Sequence, residues 1–480
     1  MAPTAPCLVL IILVLAFQPI YGNVIIYPSP QGVNPSNKFQ VFVSQGNHRQ
    51  ASVTYIATSD IRAKQAPHVT AGRSVSWTSF AFTGGPVTVE IHAPTDFKNC
   101  IVRPKSYGYA CKRMGPKKAQ ITVSETSRMM SIEFDNDYGT TNDDDIKDKL
   151  LVFADPPETN VPDEHDSSVL YYKAGVHNLN GQLHLDSKIK TVYLAPGAWV
   201  EGGFITSGQH PVTIRGRGIL STQTYKWHDH RFAYGMVTMD KGNHHVLEGI
   251  TMVDPEEFYF QGLGDHNTVR NVKMIAPWAF NSDGVGMGHD GVVLDTFIWA
   301  NDDAFKVYTS RMVVERCVVW LAQNGAVFQM GWTHTRDVHN VSIKNVDVIH
   351  VDLCNFHGSN CKLAANAAVF NIGGHVRQFK VSDIVMSNIR VEGSCPRLIY
   401  YTMKDDVTGS VSNIHFDNWT VDSQPMHDSL HNEINGSAHG GMMSNWTFTN
   451  LKVGGHCITG PKQADFLVGS HTSNIKFICH

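Results

Sequence analysis

The sequence has little charge. Only 17% of its 480 residues are Asp, Glu, Lys or Arg, against about 25% in an average soluble domain. The two signs nearly cancel, 39 basic against 43 acidic residues, for a formal net charge of -4. Such a chain carries no field that steers it to a polyanion, so no nucleic-acid partner is expected. Disorder requires low hydrophobicity with high net charge, and 42% hydrophobic residues exclude it. No apolar run reaches the length of a membrane span. Leu8–Phe17 (LVLIILVLAF) has ten residues, about half of what a transmembrane helix needs. The 40 glycines follow no collagen period and the 21 prolines do not cluster, so the chain is not fibrous. No two cysteines have CxxC spacing, which argues against a structural zinc site.

The Leu8–Phe17 run is followed by Gln18, Pro19 and the small Gly22. Residues 1–22 therefore read as a signal peptide with cleavage near Gly22–Asn23, although the stretch before the run has no Lys or Arg. The expected mature protein is secreted, monomeric and free of the membrane. Eight of the nine cysteines remain once Cys7 is removed, and an even number in a secreted chain suggests disulfides. Short loops favour Cys100–Cys111 and Cys354–Cys361, and Cys457–Cys479 would tie down the C-terminus. Cys317 and Cys395 either pair or stay as buried thiols. Four N-x-S/T sequons, at Asn340, Asn418, Asn435 and Asn445, are expected glycan sites.

Residues 23–160 read as a β-sandwich. Short alternating runs recur at Lys38–Val43, Ala51–Ile56, Val87–Ile91, Ala119–Val123, Met130–Phe134 and Lys149–Phe153, with turn residues between them. Asp143, Asp144 and Asp145 read as a solvated loop. Asp155–Asp166 (DPPETNVPDEHD) is rich in proline and charge and reads as the linker. Over 161–480 the texture changes. A motif returns as LEGITM at 247, VRNVKM at 269, LDTFIW at 294, VERCVV at 314, IKNVDV at 343, MSNIRV at 386, FDNWTV at 416 and FTNLKV at 448. A step of 20 to 30 residues, with β-branched residues and Asn at turns, is the signature of a solenoid. The segments between strands lack helical periodicity. The fold class is therefore all-β, an N-terminal β-sandwich followed by a right-handed parallel β-helix. Val269, Leu294 and Val314 are expected to form an inward column. The one step of 43 residues, from 343 to 386, is expected to hide a further coil near Ala367–Ile372.

Two acidic segments stand out, Asn281-Ser282-Asp283-Gly284 and Asn301-Asp302-Asp303-Ala304-Phe305-Lys306. Their separation is about one coil, which stacks the acids on neighbouring rungs. Three carboxylates so close repel when ionised, so at least one pKa should rise and supply a proton donor at mild pH. Glycosidic hydrolysis needs that combination, a carboxylic acid for the leaving oxygen and a carboxylate for water. Exposed Asp turns or a calcium site are the bland alternatives. On a regular strand Asp302 and Asp303 would face opposite ways, so both reach one groove only where the strand ends or bulges. Asn281, Lys306, Tyr308, Trp278 and Trp332 are candidate substrate contacts, because lysine grips hydroxyls and aromatic faces stack on sugar rings. Trp299, His289, His334 and His350 fall on the same coils. His228-Asp229-His230 looks like a metal fragment without a third ligand, so no metal and no cofactor are expected.

At Asn301–Tyr308 (NDDAFKVY), Val318–Trp320 (VVW), Gly331–Trp332 and Val341–His350 (VSIKNVDVIH) the chain resembles the β-helix glycosidases of glycoside hydrolase family 49, the dextranases and isopullulanases. Val192–Phe204 (VYLAPGAWVEGGF) and Ile214–Leu220 (IRGRGIL) resemble that family's entry into the helix. The pectin-degrading family 28 shares the NxD and DD elements. It also carries Gly-His-Gly and Arg-Ile-Lys motifs, where this chain has Asn324-Gly325-Ala326 and no RIK. The resemblance implies a hydrolase of α-glycosidic bonds in a polysaccharide such as dextran or pullulan. It further implies Asp302 as general acid, Asp283 and Asp303 as the carboxylates that hold and activate water, and inversion at the anomeric carbon. Inversion calls for carboxyls about 6.5 to 9.5 Å apart, a gap that stacked coils are expected to supply. A pectinase, a polysaccharide lyase and a non-catalytic glycan-binding β-helix remain the rival readings.

Overall fold

The structure is a computed structural model. It describes residues 22–67, 69–135, 146–330, 336–352, 367–372, 378–404, 407–424 and 430–480. The expected signal run Leu8–Phe17, Asp143–Asp145, Trp332, His334, Cys354 and Cys361 lie outside the described residues.

The N-terminal unit is a sandwich of two sheets. One sheet orders Val24–Ile26, Ser74–Phe82, Lys149–Asp155, Arg128–Phe134 and Cys100–Arg103, with Thr54–Thr58 also on Ser74–Phe82. The other orders His48–Ser52, Gln40–Gln45, Val87–His92, Lys118–Val123 and Lys112–Gly115. Alternation sets the faces. Val87, Val89 and Ile91 point inward, against Val41, Val43, Leu150 and Val152. The run Ala51–Ile56 is not one strand. It divides at Val53, with its first part in one sheet and its second in the other. Lys149–Asp155 is buried at every position. Leu150 and Val152 fill the sandwich, while Leu151 and Phe153 pack against the C-terminal unit.

The C-terminal unit is a parallel β-helix with three stacks of strands. The recurring motif builds one stack. Leu247, Val269, Val293, Val314, Ile343, Met386, Phe416, Phe448 and Phe477 stand in register as one column. Val293, not Leu294, is the inward residue. Leu294 pairs with Arg270 and Glu315 on the outer face. Two adjacent apolar residues leave the frame open, and the turn residue closes it. Asp295 takes φ 47° two residues after Val293, as Asn271, Asn345, Asn388, Asn418 and Asn450 do in their coils, with φ from 52° to 56°. Asn tolerates the left-handed region better than most residues, which is why it recurs in the motif. The step of 43 residues hides no extra coil. Val338–Val351 pairs directly with Lys380–Ser394, and Ala368–Ile372 is a strand of another stack of the same coil.

The two units share a dense interface. Tyr55, Trp77 and Phe153 of the sandwich meet Trp199, Trp278, Trp299 and Trp320 of the helix. Buried ion pairs cross it, Arg62 to Asp254 at 2.9 Å, Arg103 to Glu392 at 2.6 Å and His350 to Glu133 at 2.6 Å. Each such pair holds position more than it adds stability, because the charges lose their hydration on burial. Disulfides join Cys100 to Cys111 and Cys457 to Cys479, while Cys317 and Cys395 are buried free thiols.

Candidate active site

The acids stand where the chain turns into the stack that holds Val285–Met287, Phe305–Lys306 and Ala326–Met330. Asp283 precedes strand Val285–Met287, Asp302 and Asp303 precede Phe305–Lys306 on the next coil, and Asn324 precedes Ala326–Met330 on the coil after that. Asp302 and Asp303 lie in a bend between strands, so strand alternation does not force them apart. Backbone bonds fix the bend. Gly284 N–H donates to the Asp303 carbonyl at 2.9 Å, and Ala304 N–H to the Ala326 carbonyl at 2.8 Å. Gly325 closes the turn above with φ 81°. A Cβ there would lie 2.2 Å from the Asp302 carbonyl carbon. Gly325→Ala is therefore expected to lose both stability and activity, because strain and backbone overlap act together. A melting curve and a rate assay check it. A variant with wild-type melting temperature and rate would mean that the coil adapts.

The three carboxylates bring oxygens within 4.8 Å of one another. That is tighter than the about 6.5 to 9.5 Å expected for an inverting pair. The cause is the coil rise of about 4.8 Å, which sets the distance between equivalent turns. Lys306 Nζ lies 2.7 Å from Asp283 Oδ2 and 3.8 Å from the centre of the Phe258 ring. Asp302 Oδ2 accepts from Asn324 Nδ2 at 2.6 Å, and its Oδ1 from the Asp303 amide at 3.0 Å. Asp303 Oδ1 accepts from the Ala326 amide at 3.2 Å.

Burial, and then the charge of Asp283, push Asp302 up to about 8. Burial, and then Asp302 and Asp283, hold Asp303 well above the usual carboxylate range. Burial raises Asp283 too, with Lys306 as the main opposing influence. Burial works against the charge of Lys306, but Asp283 and Asp303 outweigh it and keep the amine protonated. The arrangement thus favours a proton on Asp302 and Asp303, and of the three acids Asp283 is the one whose charge Lys306 contacts directly. Lys306 already brings the positive charge that a bound ion would supply, so the acids read as proton-transfer groups.

The acids open into a groove of about 780 Å³, which Asn281, Lys306 and Tyr308 also line. Trp278 does not reach it. It is 1% exposed in the interface between the two units, as is Trp299. Both indoles lie on coils next to the acids, but on the face that the sandwich covers. His350 is buried against Glu133 for the same reason. His289 touches Arg336 at the groove, 3.1 Å away. In the His228–His230 fragment Asp229 holds Arg231 at 2.7 Å and His230 points to solvent, so the three do not converge. Sequence reasoning missed Asn324, Phe258, Tyr234 and Arg336, which line the groove. Only Asn324 carried a usable signal, being one coil beyond Asp302.

No family model matches the chain. It is 26% identical over 444 residues to a dextranase of Arthrobacter globiformis, covering 74% of this chain and 67% of that one. It is 26% identical over 406 residues to an isopullulanase of Aspergillus niger, covering 72% and 71%. Among solved structures, Dex49A from Penicillium minioluteum superposes with a TM-score of 0.74 at 20% identity, covering 93% of this chain and 96% of that one, which shows the shared fold. With these relatives the chain is a glycoside hydrolase. Its similarity is to dextranases and an isopullulanase, as the sequence resemblance to family 49 implies.

Proposed function

We propose that this chain is a secreted hydrolase of the α-glycosidic bonds of a neutral α-glucan, of dextran or pullulan type. The observation that carries the reading is the set Asp283, Asp302, Asp303 and Lys306 in one open groove. The relatives' names, dextranase and isopullulanase, supply the substrate class. Asp302 gives its proton to the glycosidic oxygen as the bond from that oxygen to the anomeric carbon breaks. Water attacks that carbon from the opposite face and loses its proton to Asp283, with Asp303 orienting the water. Inversion comes from the family resemblance alone, since the carboxyl spacing is tighter than the general rule. Lys306 is held by Asp283 and Phe258, which favours a neutral sugar over a uronate. Two disulfides support export, after removal of residues 1–22. Asn340, Asn418 and Asn445 are exposed and open to glycans, and Asn435 is partly exposed.

A panel of polysaccharides assayed for reducing ends tests the activity and the substrate together. Dextran or pullulan is expected to yield them, and polygalacturonate is not. Proton NMR of the first sugar released should show the β-anomer. First appearance of the α-anomer would establish retention instead, and turnover of polygalacturonate alone would replace the substrate reading.

A further inference from the structure

Asp302 meets a donor on each oxygen. The Asp303 amide reaches Oδ1 at 3.0 Å and the Asn324 side chain reaches Oδ2 at 2.6 Å. The first is local, made by the next residue in the chain. The second comes from the following coil and is short, as bonds to a carboxylate are. Asn324 is held there by its neighbour. Gly325 packs its α-carbon against the Asp302–Asp303 peptide, at a place where no other residue fits. The Ala326 amide then binds Asp303 at 3.2 Å. One short turn thus touches both acids, and Asn324 is the only side chain it sends to the pair.

We infer that Asn324 is a positioning residue that sets the acid strength of Asp302 and aims its proton at the substrate. This rests on Asp302 being the acid of the proposed reaction. A carboxyl oxygen has two lone-pair directions. With Nδ2 of Asn324 on one of those of Oδ2, the transferable proton is left to the other. As that proton passes to the glycosidic oxygen, charge grows on the carboxylate. Both donors are already in place to receive it, so no reorganisation is needed. Turned over, the Asn324 amide would accept the acid's own proton and withhold it from the substrate. The other groups facing Asp302 are Asp283, Asp303, Lys306 and Tyr308. After burial, Asp283 raises its proton affinity and Lys306 lowers it. The backbone amides of Asn281 and Asp303 lower it by direct contact, and Asn324 is the one neutral side chain with a hydrogen bond to it among the described residues.

Two variants and two readouts test this. Asn324→Ala removes the donor. Asn324→Asp keeps the shape but offers only acceptors when ionised, which imitates the overturned amide. In both, the alkaline limb of kcat/KM should move up, by about one pH unit for Asn324→Ala. Its kcat should fall about tenfold, with KM little changed. The second readout needs no substrate. Carbon-13 NMR of aspartate-labelled protein, with the Asp302 signal identified by its loss in Asp302→Asn, should show a higher titration midpoint in Asn324→Ala. A midpoint and an alkaline limb at their wild-type positions in both variants would overturn the inference, whatever happens to stability. If no α-glucan is cleaved by the wild type, the proposed function fails, and the NMR midpoint still decides whether Asn324 sets the acid.

Discussion

Asp302→Asn should lower the rate on a polysaccharide by about 10² to 10⁴, because it removes the proton donor with little change of shape. The amide is nearly isosteric, and its one oxygen keeps the bond from the Asp303 amide, while its NH2 takes the place of the oxygen that faces Asn324, whose own amide turns over to accept from it. Two signatures separate loss of acid catalysis from general damage. The loss should shrink on an aryl glycoside whose leaving group needs no proton. The alkaline limb of the wild type, set by Asp302 near pH 8, should disappear. Stability should move the other way. The folded pKa of Asp302 is raised above its unfolded value of about 3.9. Between about pH 4 and 8 the unfolded chain therefore binds fewer protons than the folded one, and stability falls as pH rises through that window. The variant lacks that penalty, so its melting temperature should exceed the wild type's at pH 8 and match it near pH 4. Asp283→Asn and Asp303→Asn should also be severe, since water needs a base. Near-normal turnover of polysaccharide by Asp302→Asn would remove Asp302 from the acid role.

The acid cluster was legible because a solenoid turns sequence spacing into distance. Two acidic segments one coil apart must meet if they occupy the same turn. The same rule explains what was not legible. Spacing says which residues share a coil but not which of the three stacks or turns they occupy. Trp278 and Trp299 share coils with the acids, yet the sandwich covers their side of the helix. That face is defined by Tyr55, Trp77 and Phe153, which are distant in the sequence. The frame at Val293–Leu294 failed for a smaller reason, since two apolar neighbours fit the motif equally well and only the left-handed Asp295 separates them. The long coil after Val351 failed because loop length was counted as coil count. Asn324 carries no charge, so its place one coil beyond Asp302 gave its position but not its role, which emerged from the 2.6 Å contact.

Lys306→Met should cost nearly as much activity as loss of an acid, by a different route. Methionine keeps the apolar stem over Phe258 and deletes the charge 2.7 Å from Asp283. The wild-type amine stays protonated across the working range, because Asp283 and Asp303 outweigh its burial. Without it, Asp283 faces Asp302 and Asp303 with oxygens within 4.8 Å and loses its main stabilising partner. Removing one member of a buried pair costs about 3 to 5 kcal/mol if the remaining charge persists. Asp283 has a cheaper escape, which is to take up a proton. Its folded pKa then rises further above the unfolded value, so the variant loses stability as pH climbs from about 4 toward neutrality. The difference in melting temperature from wild type should be small near pH 4 and grow toward pH 7. The same protonation removes the base. The acidic limb of kcat/KM should move upward, toward the alkaline limb of Asp302, and the active window should close from below. Raising the pH cannot restore the rate fully, because it ionises the acid before the base is free. Equal melting differences at pH 4 and pH 7, together with an unmoved acidic limb, would show that Lys306 serves substrate binding and not the charge of Asp283.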